Sequence, residues 1–269
     1  MAYGKEVKDF ITATDNGRFF VFDTETTGLK PENADIIECS AVRILNSGGS
    51  FTLEDKLDIF INPGYSIPSE ITEITGITDE DIRREAVSAA EALEKITAFW
   101  GDSPYVAGYN SKSFDHGFVD KLYKENGMKR GFCPKMHLDV IKMAYEVSSK
   151  PFKLMHQAEL AGIADNYRFH RSIDDAMATF DVFRFLLRKY QDADGSIDPA
   201  ALTVTGIKRW TAYGLDRIYV NNTLKISIYY DIAEGKWMVP TGVQEGPAIK
   251  TIFDFAGVTS QKEFLDKYG

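Results

Sequence analysis

The feature that most constrains the fold is a short apolar run that leads directly into two acidic residues. The segment FVFDTETTGL, residues 20–29, places Asp23 and Glu25 at the end of four apolar residues, 19–22. Such a run is typical of a buried strand, and side chains two positions apart on a strand point to the same face. Paired carboxylates repel each other and resist burial, and a hard divalent cation relieves both costs. The segment therefore predicts a cation-binding strand end, with termination of an edge strand as the alternative.

Strand and helix patterns alternate along the chain up to about residue 190. Short apolar runs predict strands at 18–23, 36–45 and 105–109, and the end of another at 57–61. Apolar residues at helical spacing, together with helix-start signals, predict helices at 69–75, 88–100, 113–125, 138–145, 152–161 and 172–190. The pattern favours an α/β domain over residues 1–190.

The chain changes character after this domain. Residues 191–200, QDADGSIDPA, are polar and contain glycine and proline, which indicates a linker. A meander of short strand patterns follows, and the capping-box spacing of Ser260 and Glu263 predicts a terminal helix. We expect a small β-rich C-terminal domain over residues 201–269. Residues 195–269 contain eight basic and eight acidic residues, so their charge is neutral overall. The interleaved basic and aromatic residues there therefore favour a β core over nucleic-acid stacking, and docking of another protein is a further option.

Composition excludes several classes of protein. The 269 residues are 44% hydrophobic and 26% charged, which is ordinary for a globular protein and unlike a disordered chain or a coiled coil. No apolar run approaches the roughly 20 residues of a membrane helix, and residues 1–17 lack the apolar stretch of a signal peptide. Two cysteines, Cys39 and Cys133, cannot form a disulfide framework. We therefore expect a cytoplasmic protein without membrane contact.

The net charge of −9 bears on the class of partner. Nucleic acid favours basic partners because its phosphates are negatively charged, so the charge alone argues against it. An acidic body still binds phosphates if some of its carboxylates hold divalent cations. The acidic motifs therefore decide between these alternatives.

A second acidic motif lies within YVAGYNSKSFDHGFVDKL, residues 105–122. A strand-like run ends at Asn110, and Asp115 lies in the first turn of a helix whose apolar residues are Phe114, Phe118 and Leu122. These three residues are expected to anchor the helix in the core, which would point Asp115 towards the strand ends. The alternative is a carboxylate that is merely favoured near a helix N-terminus.

A third motif opens the longest predicted helix. His170 lies just before this helix, and Asp174 and Asp175 lie in its first turns. The two aspartates differ by about 100° around the helix axis, so they cannot both face one point. Small residues at Ala176 and Thr179 favour Asp175 as the one that approaches the sheet. A histidine beside a metal-bound water accepts its proton, whereas a surface histidine with two solvated aspartates is the alternative.

In this order, the three motifs resemble those of the DEDDh (DnaQ-like) 3′–5′ exonucleases, in particular the epsilon and PolC-type proofreading exonucleases of DNA polymerase III. FDTETTGL resembles the first motif. Asn110, Phe114 and Asp115 resemble the second, and His170, followed five residues later by Asp175 and Ala176, resembles the third. The segment INPGYSIPSEITEITGITDEDI, residues 61–82, resembles the stretch that lines the substrate groove in the PolC type. The resemblance covers roughly residues 17–190.

Two positions depart from the family pattern. Tyr109 precedes Asn110 where the family often has histidine, and Ser172 stands where alanine is common. Neither position supplies a metal ligand in the family. The departures therefore concern substrate details more than activity.

The resemblance implies an RNase H-like fold, with a mixed sheet flanked by helices, and a site with two divalent cations, Mg²⁺ or Mn²⁺. It assigns Asp23, Glu25 and Asp175 to the first ion. Asp23 would bridge to the second ion, which Asp115 would hold directly or through water. His170 would be the general base, and the product would be a nucleoside 5′-monophosphate released from the 3′ end.

The resemblance also implies a set of substrate contacts. Leu29 and the region 74–77, with Ile74 and Ile77, would pack against the last base or sugar, with core packing as the alternative. The backbone around Thr26 and Thr27 would contact the terminal 3′-hydroxyl. Asn110 would help to orient the strand.

The expected substrate is a single-stranded or frayed DNA 3′ end, and a polymerase or another replication or repair protein is a possible partner. An RNA-directed exonuclease of the same family is an alternative, because the ribose-contacting residues are not identifiable from one chain. A nucleic-acid-binding protein with an inactive site is a third option. Five intact candidates for the catalytic residues argue against it.

Overall fold

The computed structural model describes residues 4–193, 202–212, 215–222, 228–239 and 245–269. Two compact units make up the chain. One contains Glu6–Ile141 and Lys153–Phe183, and the other contains Lys142–Phe152 and Arg184–Gly269 with the first residues of the chain. Of the predicted linker, residues 191–193 continue a helix and residues 194–200 lie outside the described part. The domain boundary near residue 190 stays a prediction.

A mixed five-stranded sheet forms the centre of the first unit. Its strands are β1 (Gly17–Thr26), β2 (Ile36–Ser47), β3 (Ser50–Phe60), β4 (Tyr105–Gly108) and β5 (Met136–Asp139). Their order is β3-β2-β1-β4-β5, with β1, β2 and β3 antiparallel and β1, β4 and β5 parallel. The carboxyl ends of the three parallel strands therefore lie at one edge of the sheet, where the polar motifs follow β1 and β4.

Helices connect the strands and continue after the sheet. They are α1 (Lys5–Ala13), α2 (Ser69–Thr75), α3 (Asp79–Glu85), α4 (Ala89–Trp100), α5 (Asp115–Glu125), α6 (Val140–Val147), α7 (Leu154–Ala161) and α8 (Ser172–Ala193). The mixed sheet and most of these helices agree with the predictions. The short strand β5 was missed because it runs directly into α6, and its Leu138 begins the apolar pattern that predicted a helix there.

Alternating side chains of β1 connect the sheet to helices on both faces. Phe22 packs against Trp100 of α4, with ring centroids 5.7 Å apart. Phe19 points to the other face and packs against Phe183 of α8, at 5.8 Å. Because side chains alternate along a strand, Asp23 lies on the same face as Phe19, the face that α8 covers.

The second unit holds a four-stranded antiparallel sheet. Its strands are β6 (Val204–Ala212), β7 (Leu215–Asn222), β8 (Ile228–Asp231) and β9 (Lys236–Met238), in this order. Two helices follow, α9 (Glu245–Ala256) and α10 (Gln261–Tyr268), and they contribute Ile252 and Phe264 to an apolar core with Ile218, Val220, Tyr230 and Trp237. The β-rich tail and α10 were predicted, and α9 was not. Within the described residues, none of the helices combines the length and apolar character needed to cross a membrane.

We expect Tyr123→Phe to destabilise the protein by about 1–3 kcal/mol, the cost of leaving a buried polar group unpaired. The buried Tyr123 hydroxyl accepts a hydrogen bond of 2.8 Å from Trp100 Nε1 within the aromatic core. Urea unfolding measures the change, with the half-buried Tyr105→Phe as the matched control. Equal free energies of unfolding for the two variants would contradict the assigned role of this hydrogen bond.

Candidate active site

Strand β1 presents the first two acidic residues at the edge where the parallel strands end. Asp23 lies opposite Ser40 of β2, and Glu25 lies opposite Glu38. Their side chains point to the same face because one residue separates them. Within the described part of the chain, no hydrogen bond or ion pair engages the carboxylate of Asp23 or Glu25. Their oxygens are therefore open to a ligand.

The third acid, Asp115, reaches β1 from the first turn of α5. Its buried Oδ1 accepts hydrogen bonds from the Thr24 backbone N–H at 2.9 Å and from the Thr24 hydroxyl at 2.6 Å. Thr24 lies between Asp23 and Glu25 in the sequence. These two bonds hold the start of α5 against the end of β1, so the carboxylate of Asp115 lies beside the acidic pair.

The fourth acid, Asp175, comes from the first turns of α8. The backbone N–H of His170 donates to Asp175 Oδ2 at 3.1 Å, and His170 has a left-handed backbone with φ of 67°. Asp174 points elsewhere, since its Oδ2 accepts from the Arg168 N–H at 3.2 Å. Of the two aspartates, Asp175 is therefore the buried one that faces the sheet.

A fifth carboxylate, Glu38, was not identified from the sequence. It is fully buried on β2 and accepts hydrogen bonds from Arg171 Nε at 3.0 Å and from the Ser172 N–H at 2.8 Å. Glu38 thereby holds the residues between His170 and α8 against the sheet. A signal was available in the run IIECSAV, because a single glutamate inside an apolar strand needs a partner when it is buried.

Ser172, which departs from the family pattern, has a structural partner. Its buried hydroxyl lies 2.6 Å from the Ser40 hydroxyl, which also donates to Asp58 Oδ1 at 2.8 Å. A chain of polar groups therefore connects α8 to β2 and β3. An alanine at this position would leave Ser40 with Asp58 alone.

Burial is the main cause of raised pKa values at this edge of the sheet, and repulsion between neighbouring carboxylates adds to it. The pKa of Glu25 rises to about 8, and those of Asp115 and Asp175 rise to about 7. The pKa of Asp23 also lies well above its ordinary value. The positive charge of Arg171 counteracts the rise at Glu25 only in part. The cluster therefore retains protons near neutral pH unless a cation compensates the charge.

The geometry and the donor atoms fit a divalent cation. Ligand atoms of Glu25, His170 and Asp175 lie within 4.8 Å of one another. Asp175 Oδ1 is buried and has no hydrogen-bond partner in the described part of the chain. An orphaned carboxylate oxygen is costly in a folded protein, and a hard cation prefers such an oxygen. The group that the structure brings together includes His170, whereas the predicted ligands of the first ion were Asp23, Glu25 and Asp175.

The three apolar residues with predicted substrate contacts differ in exposure. Leu29 is 83% exposed in the loop after β1, and Ile74 is 55% exposed on α2. Ile77 is only 1% exposed and packs with Ile37, Ile67 and Ile82. Leu29 and Ile74 are therefore accessible to a ligand, whereas the side chain of Ile77 belongs to the core and its contact with a substrate stays a prediction.

The loop that carries Leu29 is closed at its base by Thr27. The Thr27 N–H donates to the Asp35 carbonyl, and the Asp35 N–H donates to the Thr27 hydroxyl, both at 2.9 Å. The same hydroxyl lies 2.8 Å from the hydroxyl of Tyr65, which donates to Asp35 Oδ2 at 2.7 Å. Thr26 is also buried, and its hydroxyl donates to the Gly28 carbonyl at 2.6 Å. The side chains of Thr26 and Thr27 and the Thr27 N–H are therefore already engaged, and the contact of this backbone with a 3′-hydroxyl stays a prediction.

Asn110 lies in the turn that follows β4. It has a left-handed backbone with φ of 60°, and its N–H donates to Asp139 Oδ1 at 2.8 Å. The side-chain carbonyl accepts from the Ser113 hydroxyl at 3.0 Å, and the residue is exposed. Asn110 therefore shapes the turn between β4 and α5, and its contact with a strand stays a prediction.

Comparison with known proteins identifies the family of the chain. Residues 20–183 match the family described as RNase_T, exonuclease. The chain belongs to the RNase_T exonuclease family. The match spans all three acidic motifs, and it confirms the DEDDh exonuclease family that was predicted from them.

The chain is similar to two DNA polymerase III proteins. It is 34% identical over 176 residues to the PolC-type DNA polymerase III of Caldanaerobacter subterraneus subsp. tengcongensis, with 65% of this chain and 12% of the relative covered. It is 31% identical over 179 residues to the DNA polymerase III subunit epsilon of Aquifex aeolicus, with 65% of this chain and 82% of that subunit covered. The chain thus spans a small part of the PolC-type relative and most of the epsilon subunit.

A solved structure shows the same fold. Exonuclease I of E. coli, in complex with a dT13 oligonucleotide, matches with a TM-score of 0.57 and 14% sequence identity. The match covers 93% of this chain and 70% of that chain. It confirms the predicted RNase H-like arrangement of the exonuclease domain.

We expect Glu38→Gln to destabilise the exonuclease domain by roughly 3 kcal/mol, because removal of one partner of a buried ion pair leaves the other charge uncompensated. The exposed pair between Glu54 and Arg18, 2.6 Å apart, provides the matched control. Glu54→Gln should cost less than about 1 kcal/mol, as is usual for surface pairs. Urea unfolding measures both values, and equal costs would contradict the role assigned to Glu38.

We expect the stability of the metal-free exonuclease domain to fall as the pH rises from about 5.5 to 8. The pKa values of Glu25, Asp115 and Asp175 are raised on folding, so the folded state binds more protons in this range and loses that advantage as each carboxylate ionises. Thermal unfolding in EDTA measures the trend, and Asp175→Asn should flatten it. Mn²⁺ should raise the Tm more at pH 8 than at pH 5.5. A Tm in EDTA that is constant or increases over this range would contradict the assignment.

Proposed function

We propose that the chain is a metal-dependent 3′–5′ exonuclease that removes nucleoside 5′-monophosphates from single-stranded or frayed DNA ends. The observation that carries the proposal is the group of two carboxylates and one imidazole formed by Glu25, Asp175 and His170, whose ligand atoms lie within 4.8 Å of one another. The buried, unpartnered Oδ1 of Asp175 is part of the same group. The family match over residues 20–183 supports the same chemistry.

Two divalent cations, Mg²⁺ or Mn²⁺, are proposed for the acidic cluster. Asp23, Glu25 and Asp175 would hold one, and Asp23 with Asp115 would hold the other. When bound, such cations activate a water and stabilise the charge on the phosphate and the leaving oxygen. They also compensate the mutual repulsion of the carboxylates, which raises their pKa values in the metal-free protein.

The proposed reaction is hydrolysis of the last phosphodiester bond. A water attacks the phosphorus atom, His170 accepts its proton, and the bond between phosphorus and the 3′-oxygen breaks. The 3′-oxygen stays on the shortened strand and takes up a proton from water, which forms the new 3′-hydroxyl. His170 suits the role of base because its side chain is exposed, while its N–H bond to Asp175 fixes its backbone beside the cluster.

Single-stranded DNA is the proposed substrate, and two exposed apolar residues support a contact with the end of a strand. Leu29 and Ile74 would pack against the terminal base or sugar. Asn110 and the backbone at Thr26 and Thr27 would orient the strand and contact the 3′-hydroxyl. E. coli Exonuclease I, which has the same fold, was solved with a dT13 oligonucleotide. The relation to polymerase III subunits makes a polymerase or another replication or repair protein the proposed partner, in the cytoplasm.

The decisive experiment incubates 5′-labelled DNA and RNA oligonucleotides with the protein in Mn²⁺, Mg²⁺ or EDTA. We expect shortening from the 3′ end of DNA only when metal is present. Asp175→Asn should abolish cleavage, because it removes a cation ligand without a change in shape. His170→Ala should reduce the rate by about 10²- to 10⁴-fold, the usual effect of losing a general base. Asp174→Asn is the matched control and should retain activity.

Each other outcome has a defined meaning. Faster degradation of the RNA strand would replace DNA by RNA as the substrate. Activity that survives EDTA would contradict the proposed site. So would an inactive Asp174→Asn variant together with an active Asp175→Asn variant. Binding of oligonucleotides without cleavage under either metal would favour a non-catalytic nucleic-acid-binding protein.

A further inference from the structure

Arg168 is a cation at the margin of the acidic site with no assigned role. It lies two residues before His170, and its backbone N–H donates to Asp174 Oδ2 at 3.2 Å. Its side chain is exposed. Arg171 on the other side of His170 forms an ion pair with Glu38, whereas no carboxylate among the described residues lies within ion-pair distance of the Arg168 guanidinium. Its positive charge is therefore available to a ligand.

The guanidinium of Arg168 lies against the end of α2. This helix ends at Thr75, and Gly76 follows with a left-handed φ of 72°. A Cβ at Gly76 would lie only 2.6 Å from Arg168 Nη2, so a larger residue there would displace the guanidinium. A cation is also favoured at the C-terminal end of a helix, which helps to keep the side chain in place.

This position places the cation between two parts of the proposed substrate path. On one side is His170, the proposed base, and on the other is α2, which carries the exposed Ile74. The scissile phosphate has to lie at the carboxylates that bind the cations. The cations would compensate the charge of that phosphate, and the Arg168 guanidinium forms no ion pair with Glu25 or Asp175 in the described part of the chain, so its charge remains for a further phosphate.

We propose that Arg168 binds the phosphodiester group one nucleotide to the 5′ side of the bond that is cleaved. The inference rests on the proposed exonuclease function and names a contact that positions the strand. A guanidinium donates two parallel hydrogen bonds to phosphate oxygens and stays charged at every relevant pH. A second phosphate would otherwise pass Asp174 without a free cation beside it, because the neighbouring Arg171 is already paired with Glu38.

The test compares two substrates that differ in the second phosphate. A single-stranded DNA oligonucleotide has it, and the p-nitrophenyl ester of thymidine 5′-monophosphate has only the phosphate that is hydrolysed. We expect Arg168→Gln to reduce kcat/KM on the oligonucleotide by about 10- to 100-fold, the size of a lost charge-assisted hydrogen bond. Hydrolysis of the nitrophenyl ester should change less than about twofold, which also verifies the fold of the variant.

Two further readouts separate a phosphate contact from a structural role. The slope of log kcat/KM against log salt should become shallower by about 0.7 in Arg168→Gln, as for one lost contact with a single strand. Arg168→Lys should retain the salt slope of the unaltered protein and part of its activity. Arg130→Gln is the matched control, because Arg130 is exposed and precedes β5, at the opposite edge of the sheet from the acidic cluster.

The possible failures are distinguishable. Equal activity of Arg168→Gln and the unaltered protein on the oligonucleotide would overturn the inference while the exonuclease function stands. An equal loss on both substrates would also overturn it, because Arg168 would then act on the scissile phosphate or on the fold. Inactivity of the unaltered protein towards both substrates would overturn the proposed function itself.

Discussion

The ion pair between Arg171 and the buried Glu38 joins the start of α8 to strand β2, and the geometry of the acidic site depends on this contact. Glu38 also accepts the N–H of Ser172 at 2.8 Å, so one carboxylate satisfies both a side chain and the start of a helix. His170 and Asp175 lie on either side of this anchor. Together with the hydrogen bond between Ser172 and Ser40, this anchor fixes the carboxylate that comes from α8 relative to those that come from β1.

Three elements, β1, α5 and α8, each contribute one or two carboxylates to the edge of the sheet where the parallel strands end. Asp23 and Glu25 come from β1, Asp115 from α5 and Asp175 from α8, and hydrogen bonds from Thr24 and His170 hold the last two in place. The metal-free cluster is electrostatically unfavourable, as the raised pKa values indicate. The surrounding sheet and the aromatic core therefore have to supply the stability that the site lacks, which is the usual relation between a functional site and its scaffold.

The sequence predicted those parts of the fold and site that depend on local patterns. The apolar run before Asp23, the exclusion of Asp174 by helix geometry and the β-rich tail needed only neighbouring residues. Glu38 was missed because its partners, Arg171 and Ser172, are more than 130 positions away in the sequence. Ile77 is a second example, since the sequence pattern around it is the same for a core residue and for a residue that lines a groove. Long-range contacts decide such cases, and a single chain does not reveal them.

The closed base of the loop after β1 has a consequence for how such a scaffold diversifies. Hydrogen bonds between Thr27 and Asp35 close this loop at its base, so the exposed tip of the loop is separated from Glu25. Replacements or insertions at the tip, where Leu29 lies exposed, then leave the neighbouring carboxylates undisturbed. The surface beside the carboxylates can therefore vary in evolution while the carboxylate cluster itself keeps its geometry.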